Sequence, residues 1–385
     1  MRAIVNGKIC TMAGAVLEKG TILIEAGKIK AVGADLAVPP GAEIIDAQGG
    51  YVLPGIIDAH THIGVYEEGI GFEGADGNEM TNPATPHIRA LDAVNPADKA
   101  FAGARAGGVT SLAVAPGSAN VIGGQVLAMK TWGRVVDDMV IRAPLGLKVA
   151  FGENPKRVYS NQKKSPSTRM AVAAILRENL TAARNYLDKL ERAKDDPEKA
   201  PDRDLKLEIL AKVLRKEIPL RAHAHRADDI ITAVRIAEEF DVDIVIEHCT
   251  EGHLIADFLA EKGVPAIIGP TLGTRPKVEL VNATFRTPGI LHKAGVKVAL
   301  TSDHPVFPVQ QLPIQAALVH KHGLPEEEAL KAITINAAEI LGIANRVGSL
   351  EPGKDADIVI FSGHPFHWKT RVEKTLIDGE IVYER

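Results

Sequence analysis

The sequence predicts a (β/α)8 TIM barrel joined to a small composite β-sandwich domain, and three observations carry that prediction. Residues 51–345 alternate strand-like and helix-like segments, the pattern of a parallel sheet covered by helices. Both ends, residues 1–50 and 346–385, read instead as short strands with Gly turns. The one GxGxxG string, "GIGFEG" at 69–74, lies inside a long Gly-rich loop rather than between a strand and a helix, and no GxxxxGKS/T phosphate loop occurs, which disfavours a doubly wound sheet, the main alternative. Seven or eight β/α units suit a closed barrel, which typically takes about 250 residues.

In chain order, "AIVNGKICTM" turns at Asn6-Gly7 and "TILIEAGKIKAVG" at Gly27-Lys28; near the other end "EKTLIDGEIVYE" turns at Asp378-Gly379. Asn-Gly and Asp-Gly between β-prone runs are hairpin signals. "DADIVIF", 355–361, is a further strand. These pieces are too short to bury a core separately, so both ends are expected to build one domain with the barrel inserted between them. The barrel strands are "YVLPGIIDAH", "GVTSLAVA", "GLKVAFG", "IPLRAHAH", "DIVIEHC", "VPAIIGP" and "VKVALTSD". Helical patterns such as "RADDIITAVRIAEEF" lie between them. Residues 165–217 break the rhythm with two long helical patterns, read as an insertion that starts at Ser165-Pro166. Its charge run "AKDDPEKAPDRD", 193–204, reads as a solvated turn.

Composition excludes several classes of function. A net charge of −4 with neutral histidines provides no basic footprint for nucleic acid. No stretch reaches the 18 apolar residues of a membrane span. The start "MRAIVNGKICTMAG" has no apolar core of a signal peptide. Cys10 and Cys249 lie far apart and make no metal or redox spacing. A cytoplasmic protein acting on a small molecule is expected, as a homo-oligomer, with neither nucleic acid nor membrane as partner.

In a barrel the reactive rim lies at the C-terminal strand ends. The residues there are His60, His62, Glu153, His223, His225, His248 and Asp303. Side chains two apart on a strand point the same way, so His60 and His62 can share one cation, with Asp58 on the same face behind them. With 13 histidines, chance supplies about 0.4 His-x-His pairs; the chain has three, at 60/62, 223/225 and 320/322. The last precedes Gly323 and fits a helix end, where the dipole favours imidazolium. The first two end apolar strands, where an imidazole without a partner is costly.

"PGIIDAHTH" at 54–62, His223, "IEH" with His248, "TSDHP" with Asp303 and the tail "AITINAAEILGIANRVGSLEPGKDADIVIF" together resemble the metal-dependent amidohydrolase superfamily. "DAVNPADKAFAGARAGGVTS" is similar to its imidazolonepropionase-like branch. The resemblance spans nearly the whole chain. It implies His60, His62 and Asp303 at a buried metal, His223 and His248 at a second, and a bridging residue. That bridge is expected to be Glu153, with Lys148 as the alternative. It also implies a hydrolase cleaving a C–N bond in an amide, cyclic amide or amidine, with one or two divalent ions, Zn foremost and Fe or Mn admissible. Such an ion lowers the pKa of bound water to about 7, and Asp303 would move the proton to the leaving nitrogen. Asp58 would orient a histidine ligand. The Glu153 pattern keeps a heterocycle (purine-like) deaminase as the alternative; a non-catalytic scaffold is disfavoured because every ligand position is filled. The loop 64–96 reads as a lid. Within it His87 and Arg89, and elsewhere His225 and Arg275, are candidates for substrate contact. "APGSANVIGGQ", 115–125, is a Gly-rich loop that could turn backbone N–H groups to the site.

Overall fold

The computed structural model describes residues 1–14, 16–194 and 196–385, with Pro197 described by its backbone alone. The first strands are β1 (Arg2–Cys10), β2 (Val16–Glu25), β3 (Lys28–Gly33), β4 (Glu43–Asp46) and β5 (Tyr51–Pro54). The barrel strands are β6 (Ile56–Thr61), β7 (Val109–Val114), β8 (Ile122–Lys130), β9 (Val140–Ala150), β10 (Leu220–Ala224), β11 (Ile244–His248), β12 (Ala266–Ile268) and β13 (Val298–Leu300). The last three are β14 (Ile358–Phe361), β15 (Val372–Ile377) and β16 (Glu380–Glu384).

The terminal strands form one eight-stranded sheet in the order β16-β15-β14-β5-β1-β2-β3, with β4 branching from β1. β1 pairs with β4 over Arg2–Val5 and with β5 at Lys8 and Ile9. The sheet packs around its own apolar cluster, which includes Ile4, Ile22, Val52, Ile358 and Leu376. One branched sheet that encloses its own core is consistent with the expected small composite sandwich.

The chain passes from this sheet into the barrel at Gly55. A Cβ there would lie 2.0 Å from Thr110 Oγ1, far inside van der Waals contact, so the junction requires glycine. The second sheet runs β13-β12-β11-β10-β9-β8-β7-β6. No strand ladder joins β13 to β6. Side chains and loops close that seam: His62 N–H donates to His304 O at 2.8 Å, Ser302 N–H to Asp58 at 3.1 Å, and Thr301 Oγ1 to His60 O.

The parallel (β/α)8 expectation needs one correction. β8 pairs antiparallel with both β7 and β9. Antiparallel neighbours can be joined by short connections, so no crossover helix separates β7, β8 and β9; only the turn Val136–Met139 stands there. Part of the expected Gly-rich loop 115–125 is therefore strand. The insertion contains helices Arg169–Arg192 and Leu205–Leu214. The first begins after Ser165-Pro166, capped by Thr168, which accepts from Ala171 N–H at 3.1 Å. In the charge run 193–204, Asp195 lies outside the described residues. No described helix is long and apolar enough to cross a membrane.

The segment 64–96 is fastened to the barrel rather than free above it. Thr85 N–H donates to Ile122 O at 2.9 Å and Gln125 N–H to Ile88 O at 2.8 Å. The buried Asp98 carboxylate accepts from Gly64 N–H at 3.0 Å and Glu68 N–H at 3.1 Å.

Candidate metal centre

Strands β6, β10 and β11 and the segment after β13 end at one mouth. Asp303 Oδ1 lies 3.3 Å from His60 Nε2 and 3.2 Å from His62 Nε2. Ligand atoms about 2.0–2.1 Å from a tetrahedral cation lie about 3.3 Å from each other, so this spacing suits one ion at their centre. The Nδ1–H of His62 donates to Ala115 O at 2.8 Å, leaving Nε2 with its lone pair toward that point. Buried Asp303 Oδ1 and His60 Nε2 have no hydrogen-bond partner, as expected of atoms that a cation would satisfy.

A second trio, His223, His225 and His248, holds its ligand atoms within 4.8 Å of one another. His225 Nδ1 hydrogen-bonds to Thr250 Oγ1 and His248 Nδ1–H donates to Gly269 O, each at 2.8 Å. Burial, reinforced by neighbouring rings, holds His223 and His225 well below the usual imidazole range. Burial brings His248 down to about 4. All three are therefore neutral and able to donate a lone pair near pH 7. The His60 and His248 rings approach to 5.3 Å, so the two sets adjoin. Asp303 stays an ionised carboxylate: burial would raise its pKa, but His248, His60 and His62 hold it well below the ordinary value. Both His248, at φ 69°, and Asp303, at φ 54°, sit in the left-handed region, a strained backbone that recurs at functional sites.

Below the histidines the barrel interior is charged. Glu247 Oε1 lies 3.1 Å from His60 Nδ1 and 2.8 Å from Arg221 Nη2, while Lys148 Nζ pairs with the other carboxylate oxygen. All are buried. Glu247 thus backs the ring of a candidate ligand, a role the sequence reading missed; a glutamate inside the apolar run "DIVIEH" was its only signal.

Several expected site residues are elsewhere. Glu153 is the first residue of the helix Glu153–Asn161, and Gly152 before it has φ 82°. This turn carries the Glu153 carboxylate to the outer side, 3.6 Å from Arg157; it joins neither trio. Lys148 is spoken for by Glu247. Asp58 touches no histidine ring: it accepts from Ser302 Oγ at 2.5 Å and ties β6 to the end of β13. Burial pushes it up to about 6 despite those bonds. Arg89 forks onto Asp92, with Nε 2.8 Å from Oδ2, and Arg275 donates to Ala283 O at 2.8 Å. Both are turned to the surface, and neither they nor His87 line the cavity over the histidines. His225 does, but as a member of the second trio. His320 and His322 stand at the end of the helix Leu312–Lys321, where the helix-end reading puts them; His322 Nδ1–H donates to Leu318 O in the last turn and His320 Nδ1–H to Leu324 O beyond it.

The cavity above the trios has a volume of about 460 Å³. Tyr66, Asn78, Ser118 and Lys277 reach it from three loops and Asn154 from the first turn of the helix Glu153–Asn161; none was singled out from sequence.

The sequence model of the Amidohydrolase family matches residues 51–382. The chain belongs to the Amidohydrolase family. A crystal structure described as an amidohydrolase from Thermotoga maritima MSB8 is 48% identical, covers 100% of both chains and superposes with a TM-score of 0.97. Among sequence relatives, amidohydrolase tasK of Hapsidospora irregularis is 31% identical over 95% of this chain, which spans only 40% of that longer protein. An imidazolonepropionase of Symbiobacterium thermophilum is 29% identical over 94% of this chain and 90% of its own. This amidohydrolase is therefore a hydrolase of C–N bonds in small molecules, of a family that generally uses divalent metals.

Proposed function

We propose that this amidohydrolase cleaves the C–N bond of a small cyclic amide or N-acyl compound, with Asp303 moving the proton. The convergence of His60 Nε2, His62 Nε2 and Asp303 Oδ1 at 3.2–3.3 Å carries the reading. His60, His62 and Asp303 would hold one ion, and His223, His225 and His248 a second; nitrogen donors with a single carboxylate suit Zn²⁺. The ion, when bound, supplies Lewis acidity toward the substrate and the attacking water.

The remaining work falls to the chain. Asp303 Oδ1 faces both imidazoles, which leaves Oδ2 to accept a proton from water and return it to the leaving nitrogen. Glu247, 3.1 Å from His60 Nδ1, fixes the orientation of that ring. The hydrogen bonds to Ala115 O, Gly269 O and Thr250 Oγ1 fix the others. The deaminase alternative leaned on Glu153 at the centre and loses that support.

Zinc-loaded protein should release a new carboxylate from cyclic amides or N-acyl compounds. Asp303→Asn should keep its circular dichroism and lose about 10²–10⁴-fold in kcat. Wild-type kcat in that variant would remove Asp303 from proton transfer.

A further inference from the structure

Among the described residues lining the cavity over the histidines, Lys277 is the only Lys or Arg. Its ammonium lies 3.1 Å from Asn154 Oδ1 and 3.5 Å from Glu279 Oε1. An ammonium has three donors; these two contacts leave the third unused, and the side chain is 22% exposed. The Asn154 amide bridges to the metal-side histidines, its Nδ2 lying 3.5 Å from His223 Nε2 and 2.8 Å from Ser118 Oγ. Glu279, buried beneath, is 3.7 Å from His225 Nε2. The cation is therefore held one side-chain amide away from the second trio. Glu279 only partly neutralises it, because the pair is long and the same carboxylate accepts Glu153 N–H at 3.0 Å.

We propose that Lys277 is the specificity anchor of the site, taking a carboxylate that the substrate carries close to its scissile C–N bond. This rests on the hydrolase reading above and narrows its substrates to anionic N-acyl amino acids or carboxylated cyclic amides. A neutral substrate would leave the ammonium facing an apolar group, at the cost of its solvation.

The test separates binding from turnover. Zinc-loaded wild type, Lys277→Met and Lys277→Arg are titrated calorimetrically with glutarate and with its monomethyl ester, which keeps one carboxylate for the metal side and lacks the other. Wild type should prefer glutarate by roughly 10- to 100-fold, the range of one charge-assisted hydrogen bond. Lys277→Met should abolish the preference at unchanged zinc content, and Lys277→Arg should keep most of it. No preference in wild type, or an undiminished preference in Lys277→Met, overturns the anchor. Failure of the hydrolase reading looks different: the glutarate preference persists and depends on Lys277, while no amide is hydrolysed.

Discussion

Glu247 joins the barrel interior to the candidate metal centre. Its carboxylate neutralises two buried cations, Lys148 and Arg221, and faces His60. A buried pair adds little net stability, but breaking one costs about 3–5 kcal/mol because a charge is left without a partner. Glu247→Gln, which keeps size and loses charge, should lower unfolding stability by about that amount in urea titration. A change within experimental error would mean that Lys148 and Arg221 find other partners. At this scale the convergence of the strand-end histidines was legible from sequence, because it combines two independent regularities, apolar run and His spacing. Glu153 was misread for a local reason. The strand stops at Ala150, and Gly152, in the left-handed region, turns the next residue into a helix whose first side chain faces Arg157. Lys277 was invisible because it sits between strands in a segment with no periodicity.

At the scale of elements, the decisive joint is Gly55 between β5 and β6. Gly55→Ala would drive its Cβ into Thr110, 2.0 Å from Oγ1 and 2.4 Å from Cγ2. Overpacking of this kind costs about 1–3 kcal/mol, so the urea midpoint should drop. Thr110→Ala in the same chain should restore part of the loss, since two of the three clashing atoms go with it and only Cβ, at 2.7 Å, remains. Equal losses in single and double variants would place the strain elsewhere. The strands themselves were readable where an apolar run ends in a polar residue. β8 escaped because the two glycines near the start of "IGGQVLAMK" merge with the preceding turn-rich "APGSANV" into what reads as one Gly-rich loop. Its antiparallel direction also evades any argument from β/α alternation. In the sheet of the two termini, Gly27-Lys28 and Asp378-Gly379 fall at the β2–β3 and β15–β16 turns as expected, but Asn6-Gly7 lies inside β1 at a register shift rather than at a turn, and the branching at β1 depends on long-range pairing that no local pattern encodes.

Across the whole molecule, Lys130 at the end of β8 fastens the barrel to the terminal sheet. Its ammonium lies 2.8 Å from Asp355, 3.0 Å from Asp357 and 2.6 Å from Asp378. Burial would raise Asp355, but hydrogen bonds from Lys130 and Lys28 hold it below the ordinary 3.8. A depressed carboxylate stabilises fully above its unfolded pKa and loses that contribution as pH falls through the folded value. Asp357 has the opposite sign: burial pushes it up to about 6, so its ionised form costs stability above that pH and protonation relieves the cost. Lys130→Met should therefore be least stable relative to wild type at pH 7. The gap in urea midpoint should narrow toward pH 4, where the abandoned aspartates can protonate. A gap independent of pH would show that the lysine acts by packing alone.

The central claim is that the converging histidines and Asp303 hold transition metal. Its most direct measurement is the metal content of protein purified without chelator, by plasma mass spectrometry, for wild type and for a variant carrying His60→Ala and His62→Ala. The account predicts one to two equivalents in wild type and a loss of up to one equivalent in the variant. Wild-type protein that holds no metal after dialysis against zinc, or a variant that retains the full wild-type complement, would contradict it.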